Sequence, residues 1–413
     1  MMATSMTVGA APLRGEVCML PSKSVMHRAL ICASLADEAT ELSPLLLSED
    51  IKATLTACRT LLSYISIGDT ITVTGRHALP EDAVVNCRES GSTIRFFLPI
   101  AAALGAHVTF IGEGRLPQRP LTPLFELFDQ TGFSYTAQGN LPVTLQDRLT
   151  PGTLRIRGDV SSQFITGLLL ALPLLGDSVL EVTTPLESRP YVDITLDIMK
   201  QFGITCSHDN YRSFTVQGTY RSPGKFTCEG DWSNAAFWLV ANALGGEIAI
   251  SNLSPATAQG DCQIVSILQQ CGLSVEDHYL VHPTQKMVSL SINVSDIPDL
   301  VPILAVLGSF CCQEMRLVGA ARLRLKESDR LSATAGELNR LGANITELED
   351  GLIIRQVDQL HGGQVSSHND HRIAMALAIA AQKSTAPVII DGADAVQKSY
   401  PAFWQELERL KKS

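Results

Sequence analysis

Four short stretches of the chain place cations where a helix would start. Lys23 and Arg28 lie in PSKSVMHRAL, and Arg95 follows Ser92 and Thr93 in SGSTIR. Lys326 and Arg330 lie four apart in LKESDRL, and Arg372 follows Asp370 and His371 in NDHRIAMA. A helix N-terminus has free N–H groups and partial positive charge, so each misplaced cation costs a few tenths to about 1 kcal/mol. A bound anion reverses the sign. Any one such side chain is ordinarily a stem snorkelling to solvent, but several together point to a ligand with more than one negative charge. Gly91-Ser92-Thr93 suits the same ligand, because a residue without Cβ lets backbone N–H groups approach a phosphate or carboxylate; alone it would be only a turn.

Carboxylates stand beside these cations. LKESDRL reads as the opening of a helix, with Lys326 and Arg330 on one face and Glu327 three residues before Arg330. That run is either a solvated, capped start or a doubly basic anion clamp with its own carboxylate. Asp231 reads as a plain helix N-cap; Asp299 reads equally as a cap or as a functional carboxylate.

Six elements must hold these groups. Polar clusters open onto Ala/Leu-rich apolar runs at Pro21, Ser90, Val160, Asp231, Ile297 and Asn369, at intervals of 69, 70, 71, 66 and 72 residues. The runs are apolar nearly all round, which predicts buried helices. Strands are predicted between them at Thr70–Thr74, His107–Ile111, Thr153–Arg157, Ser178–Val182, Glu247–Ile250, Met287–Ile292 and Pro387–Ile390. Amphipathic helices are predicted at Leu121–Thr131, Tyr191–Phe202, Gln263–Cys271 and Ser332–Leu341. The chain is thus six repeated α/β modules with buried helices, three per lobe, the lobes dividing near Lys225–Gly230.

Composition narrows the function. The 413 residues carry 32 Lys+Arg against 42 Asp+Glu, for a net charge of −10, and 45% are hydrophobic. An acidic chain without a basic run argues against nucleic acid or an anionic membrane as partner, so any anion site is a focused cluster. The uncharged runs Phe96–Gly112 and Val160–Gly176 are 17 residues each and interrupted by polar residues or Pro, short of the about 20 a span needs. Met1–Leu20 shows no secretory pattern, and the ten cysteines form no Cys-x-x-Cys pair, which predicts a cytoplasmic protein with reduced core thiols. Phosphate-loop, dinucleotide, zinc-protease and α/β-hydrolase motifs are all missing, and the nine His residues have no metal-ligand spacing.

The ordered set PSKSVMHRAL, SGSTIR, LPQRPL, SSQFITGLLLA, SRPYVDITL, GDWSNAAFWL, IPDLVP, LKESDRL, NDHRIAMA and QKSYPAFW resembles the 5-enolpyruvylshikimate-3-phosphate synthase family over nearly the whole chain. The resemblance implies a two-lobed inside-out α/β barrel, with residues 20–229 as one lobe and residues 1–19 with 230–413 as the other, and the active site in the cleft between them. It implies transfer of the enolpyruvyl group of phosphoenolpyruvate to the 5-hydroxyl of shikimate 3-phosphate by addition and elimination, in the shikimate pathway that glyphosate blocks, without metal or organic cofactor. By the same resemblance, shikimate 3-phosphate meets Lys23, Ser24, Arg28, Ser161, Ser162, Gln163, Ser188, Tyr191, Asp299 and Lys326. Phosphoenolpyruvate meets Lys23, Gly91, Arg119, Gln163, Arg330, Arg372 and Lys398. Lys23, Asp299, Glu327 and Lys398 are the implied catalytic groups, and the small molecules are the implied partners of a monomer.

The match departs from the family pattern in places. Leu20-Pro21-Ser22-Lys23 stands where Pro-Gly-Ser-Lys is frequent, His27 where Asn is frequent, and Arg322 where Asn is usual, so Arg322 is not assigned to the site. Two rivals are weighed. The sister family acting on UDP-N-acetylglucosamine has a Lys-Asn pair and a reactive loop Cys, whereas this chain has Lys23-Ser24 and no Cys in Leu116–Pro120. A non-catalytic anion-binding module would have no need of Glu327 and Asp299.

Overall fold

The computed structural model describes residues 4–283 and 288–412. Met287, from one anticipated strand, lies outside them, as do residues 1–3 and Ser413 at the two ends. The chain forms two compact units, Pro21–Glu229 and Met1–Leu20 with Gly230–Ser413.

In Pro21–Glu229 one sheet plan occurs three times. Ala83–Asn86 pairs in parallel with Val108–Ile111, which pairs antiparallel with Val143–Leu145, and Tyr135–Ala137 forms the edge. Parallel neighbours require a crossover, and the buried helix Gly91–Leu104 supplies it. Thr153–Ile156, Val179–Val182, Ser213–Gln217 and Thr205–Asp209 repeat the order around the helix Ser162–Leu175. The third sheet takes Thr40–Ser43, Ile71–Arg76 and Ser63–Ile67 from the start of the unit, and its parallel edge strand Lys225–Thr227 from the end. The unit is therefore closed by pairing its two ends.

The other unit repeats the plan around Val301–Cys311, with Ser289–Asn293 parallel to Glu314–Val318 and the hairpin Asn344–Leu348/Gly351–Arg355 beyond. Gly363–Ser366 runs parallel to Val388–Asp391, which pairs antiparallel with Met6–Val8, and Arg14–Cys18 runs parallel to Glu247–Ser251. Those pairings explain why the first twenty residues belong with the carboxy-terminal part.

The six central helices are buried because they have no polar face to offer solvent. Every residue of Val301–Cys311 is buried, as is every residue of His371–Ala380. Each fully buried Leu, Ile or Phe contributes about 1.5–3 kcal/mol of transfer free energy, so these helices are the cores of their units. Gly167 shows how tightly two of them meet: a Cβ there would lie 2.2 Å from the Arg95 carbonyl oxygen and 3.0 Å from the Phe96 Cα. That close approach fixes the start of one helix against the first turns of its neighbour. The amphipathic helices run Thr122–Thr131, Arg189–Gln201, Ile264–Gln270 and Arg330–Arg340. No helix among the described residues is long and apolar enough to cross a membrane. All ten cysteines are free, but only seven are buried; Cys18 is exposed, and Cys206 and Cys262 are half-buried, so the expectation of ten core thiols fails at those three.

Candidate active site

In the unit Pro21–Glu229 most of the anticipated residues stand at the amino ends of helices, with Arg119 on a loop. Lys23 opens the helix Lys23–Leu35, where the N-cap Ser22 makes no side-chain cap. Its ammonium is paired at 2.7 Å with Asp50, the second residue of the helix Glu49–Leu61. Arg28 is buried and satisfied from several sides: Nε donates to Thr195 Oγ1 at 2.7 Å, Nη2 to the Tyr191 carbonyl at 2.9 Å and to Thr166 Oγ1 at 3.2 Å, and Nη1 to the Ser24 carbonyl at 2.7 Å. Burial lowers its guanidinium to about 10. Arg28 thereby fixes Ser24 and Tyr191, two of the residues expected to meet the same ligand.

Gln163 is held with its amide oriented. Oε1 accepts from Arg95 Nη1 at 2.8 Å and Nε2 donates to Ser92 Oγ at 2.9 Å, while the N-cap Ser161 accepts the Gln163 N–H. Ser162 is the buried first residue of that helix. Arg95 also donates to the Pro120 carbonyl at 3.1 Å, which ties the loop carrying Arg119 to the same point. The Arg119 guanidinium occupies the space a Gly91 side chain would need, 2.6–2.7 Å from an ideal Cβ. Gly91 is the first residue of the helix Gly91–Leu104 and has no positive φ, so it is more than a turn glycine. Ser188 does adopt the left-handed conformation, φ 55°, at the N-cap of Arg189–Gln201, and its carbonyl accepts the Tyr191 N–H at 3.1 Å.

The unit Gly230–Ser413 holds a buried ionic cluster. Arg330 donates from Nη1 to Asp299 at 2.7 Å, from Nη2 to Glu327 at 2.7 Å and from Nε to Asp370 at 2.7 Å. Burial opposes its charge, but Asp370, Glu327 and Asp299 prevail and hold it well above the usual range. Arg372 Nη2 donates to the other Asp299 oxygen at 2.8 Å, and the Lys326 ammonium stands 3.7 Å from Asp299. Burial, with Arg330 adding to it, lowers Lys326 to about 8 although a quarter of its side chain is exposed. Lys398, 8% exposed, donates to the Asn369 carbonyl at 2.7 Å.

Two expectations are corrected here. Lys326 and Arg330 do not share a helix: the helix starts at Arg330 with Asp329 as its N-cap, and Lys326 precedes it in extended backbone. The reason is local, since Asp329 accepts the Ser332 N–H and competes successfully for the start. Asp299 is no helix cap: Leu300 takes the cap position, and the Asp299 carboxylate faces Arg330 and Arg372. Lys23, Arg330 and Arg372 all have protein carboxylates against them. Asp231 is the N-cap expected, accepting the Asn234 N–H at 2.8 Å.

Asp50, Asp370 and Asp261 were not singled out. Asp370 stood in plain view within NDHR; it caps its helix through the Arg372 N–H and holds Arg330 from below. Asp50 sits in the acidic first turn after Ser48, a pattern that reads as ordinary capping.

Repeated α/β modules bearing part-buried Lys23 and buried Arg330 and Arg372 at helix starts, with carboxylates interleaved among them, define an enzyme for multiply anionic substrates. The family model for EPSP synthase (3-phosphoshikimate 1-carboxyvinyltransferase) matches residues 8–407, and the chain belongs to that family. It is 46% identical to the 3-phosphoshikimate 1-carboxyvinyltransferase of Clostridium kluyveri, covering 98% of this chain and 96% of the relative. It is 43% identical to that of Clostridium novyi, with 96% and 95% covered. A solved EPSP synthase from Acinetobacter baumannii shares the fold, with a TM-score of 0.79 at 24% identity over 99% of this chain and 98% of that one. The activity is enolpyruvyl transfer to shikimate 3-phosphate in the shikimate pathway.

Proposed function

We propose that the two sets of residues divide the substrates as follows. Shikimate 3-phosphate takes Lys23, Ser24, Arg28, Ser161, Ser162, Gln163, Ser188 and Tyr191 from one unit, and Asp299 and Lys326 from the other. Phosphoenolpyruvate takes Lys23, Gly91, Arg119 and Gln163 from the first, and Arg330, Arg372 and Lys398 from the second. Each unit is a three-module lobe of an inside-out α/β fold. The protein works as a cytoplasmic monomer without metal or organic cofactor.

Asp299 carries this reading, because its carboxylate is fixed by Arg330 and Arg372 with Lys326 close by. A carboxylate so held can orient or take the proton of the 5-hydroxyl as its oxygen bonds to C2 of phosphoenolpyruvate. A proton reaches C3 and makes a methyl group; Glu327, Lys23 and Lys398 are the groups able to deliver it. Loss of a methyl proton, with Glu327 as acceptor, then restores the double bond and expels phosphate. Lys23 and Lys398 hold the charge on the departing phosphate.

The test is phosphate release from phosphoenolpyruvate with shikimate 3-phosphate or UDP-N-acetylglucosamine as acceptor. Turnover with the first alone, retained in EDTA, is expected. Turnover with the second, or loss in EDTA, would overturn the assignment.

A further inference from the structure

Asp261 stands outside the substrate sets above but within the electrostatic reach of one of them. It lies in the short turn Gly260–Gln263 and is 3% exposed. Ser233, in the first turn of the helix Trp232–Ala243, donates its hydroxyl to Asp261 Oδ2. Oδ1 is sealed from solvent without a hydrogen-bond partner. The turn is braced against the same helix start, since Gln259 Oε1 accepts the Trp232 N–H at 3.1 Å and Nε2 donates to the Gly230 carbonyl at 2.9 Å. The helix Trp232–Ala243 also packs against the turn Pro298–Leu300, which carries Asp299, and against the helix His371–Ala380, whose first turn carries Arg372, so the buried carboxyl lies within reach of their charges.

Two carboxylates near one guanidinium do not ionise equally. Asp299 has Arg330 and Arg372 in direct contact. Burial, then the charge of Asp299, pushes Asp261 up to about 7, against the pull of Arg372 and the Ser233 hydroxyl. We propose that Asp261 is a positioning residue for phosphoenolpyruvate, setting how much of the Arg372 charge is left for the substrate anion. The inference rests on the assignment of Arg372 to phosphoenolpyruvate. As the acid, Asp261 leaves Arg372 to be shared between Asp299 and the incoming anion. As the carboxylate, having lost its proton to solvent, it adds a further negative charge beside Arg372 and opposes that anion.

The experiment measures KM for phosphoenolpyruvate by phosphate release across neutrality, in the wild type, Asp261→Asn and Ser233→Ala. The substrates' own titration affects all three alike, so the quantity read is the ratio of wild-type KM to that of Asp261→Asn at each pH. It is expected to climb about three- to tenfold as pH rises through 7, the size a nearby charge produces. Ser233→Ala removes a donor that favours the carboxylate, so its rise in KM must move to higher pH; a purely structural role moves nothing. A flat ratio overturns the proposal. Should Asp261→Asn not fold, an unmoved midpoint in Ser233→Ala overturns it equally. Arg372→Gln separates the two assignments: unchanged KM for phosphoenolpyruvate in that variant overturns the site reading itself, whatever Asp261 does.

Discussion

Replacing Gly91 with Ala puts a methyl group where the Arg119 guanidinium lies. An ideal Cβ would stand 2.6 Å from Nη1 and 2.7 Å from both Cζ and Nη2, whereas relaxed contacts lie near 3.5 Å, so the guanidinium must retreat by about 1 Å. The helix itself accepts Ala, since Gly91 has helical backbone geometry and Ala lowers the entropy of the unfolded chain. The strain therefore falls on a side chain rather than on the fold. Arg119 is 6% exposed, so it has little room, and its charge leaves the position proposed to meet phosphoenolpyruvate. A charge-assisted hydrogen bond is worth about 1.5–3 kcal/mol, and losing it raises KM for phosphoenolpyruvate roughly 10- to 150-fold. Glyphosate, a longer ligand, should lose more. Shikimate 3-phosphate should keep its affinity, because Arg28, Ser161 and Tyr191 are fixed by bonds that do not pass through Arg119. Steady-state kinetics with each substrate varied, a glyphosate inhibition series and a melting curve on this one variant give all four quantities. Equal losses for both substrates with a lowered Tm would refute the reasoning, and so would an unchanged KM for phosphoenolpyruvate.

Lys23→Met should cut turnover on the order of a hundredfold. It also strands the part-buried Asp50 carboxylate, so stability falls by about 1–3 kcal/mol; adding Asp50→Asn should recover Tm but not rate. Arg330→Met leaves Asp299, Glu327 and Asp370 facing one another and should destabilise by about 3–5 kcal/mol, seen as an early denaturation midpoint. Lys326 at about 8 is charged below that pH and neutral above it, so shikimate 3-phosphate binding should weaken above pH 8, where binding must take up one proton. Titration calorimetry across that range checks it, and Lys326→Arg should move the loss to higher pH.

What could be read from the sequence follows from what is periodic. The six central helices announced themselves because burial on every side requires apolar residues on every side, and Val301–Cys311 or Ser162–Leu175 has no other interpretation at its length. Some strands of parallel pairs were as plain, as with Val108–Ile111, but partners such as Ala83–Asn86, Glu314–Val318 and Gly363–Ser366 were not. Three-residue hairpin strands such as Tyr135–Ala137 and Val143–Leu145 were invisible, being too short to show alternation. The ionic site divides along the same line. Its cations stood out as exceptions to a local rule, since a helix start disfavours positive charge. Their counter-ions obey local rules and so gave no signal: Asp50 looks like a first-turn acid, Asp370 like a cap. What makes each functional is a partner 27 or 40 residues away, fixed by the repetition of the module rather than by its own neighbours. The consequence reaches the chemistry. Because Lys23, Arg330 and Arg372 are already matched by carboxylates, substrate anions bound as proposed must compete with Asp50, Asp370 and Asp299 for them. Affinity is thus a difference between two sets of ion pairs, and removing a carboxylate without touching a cation should tighten binding of the anion while loosening the fold.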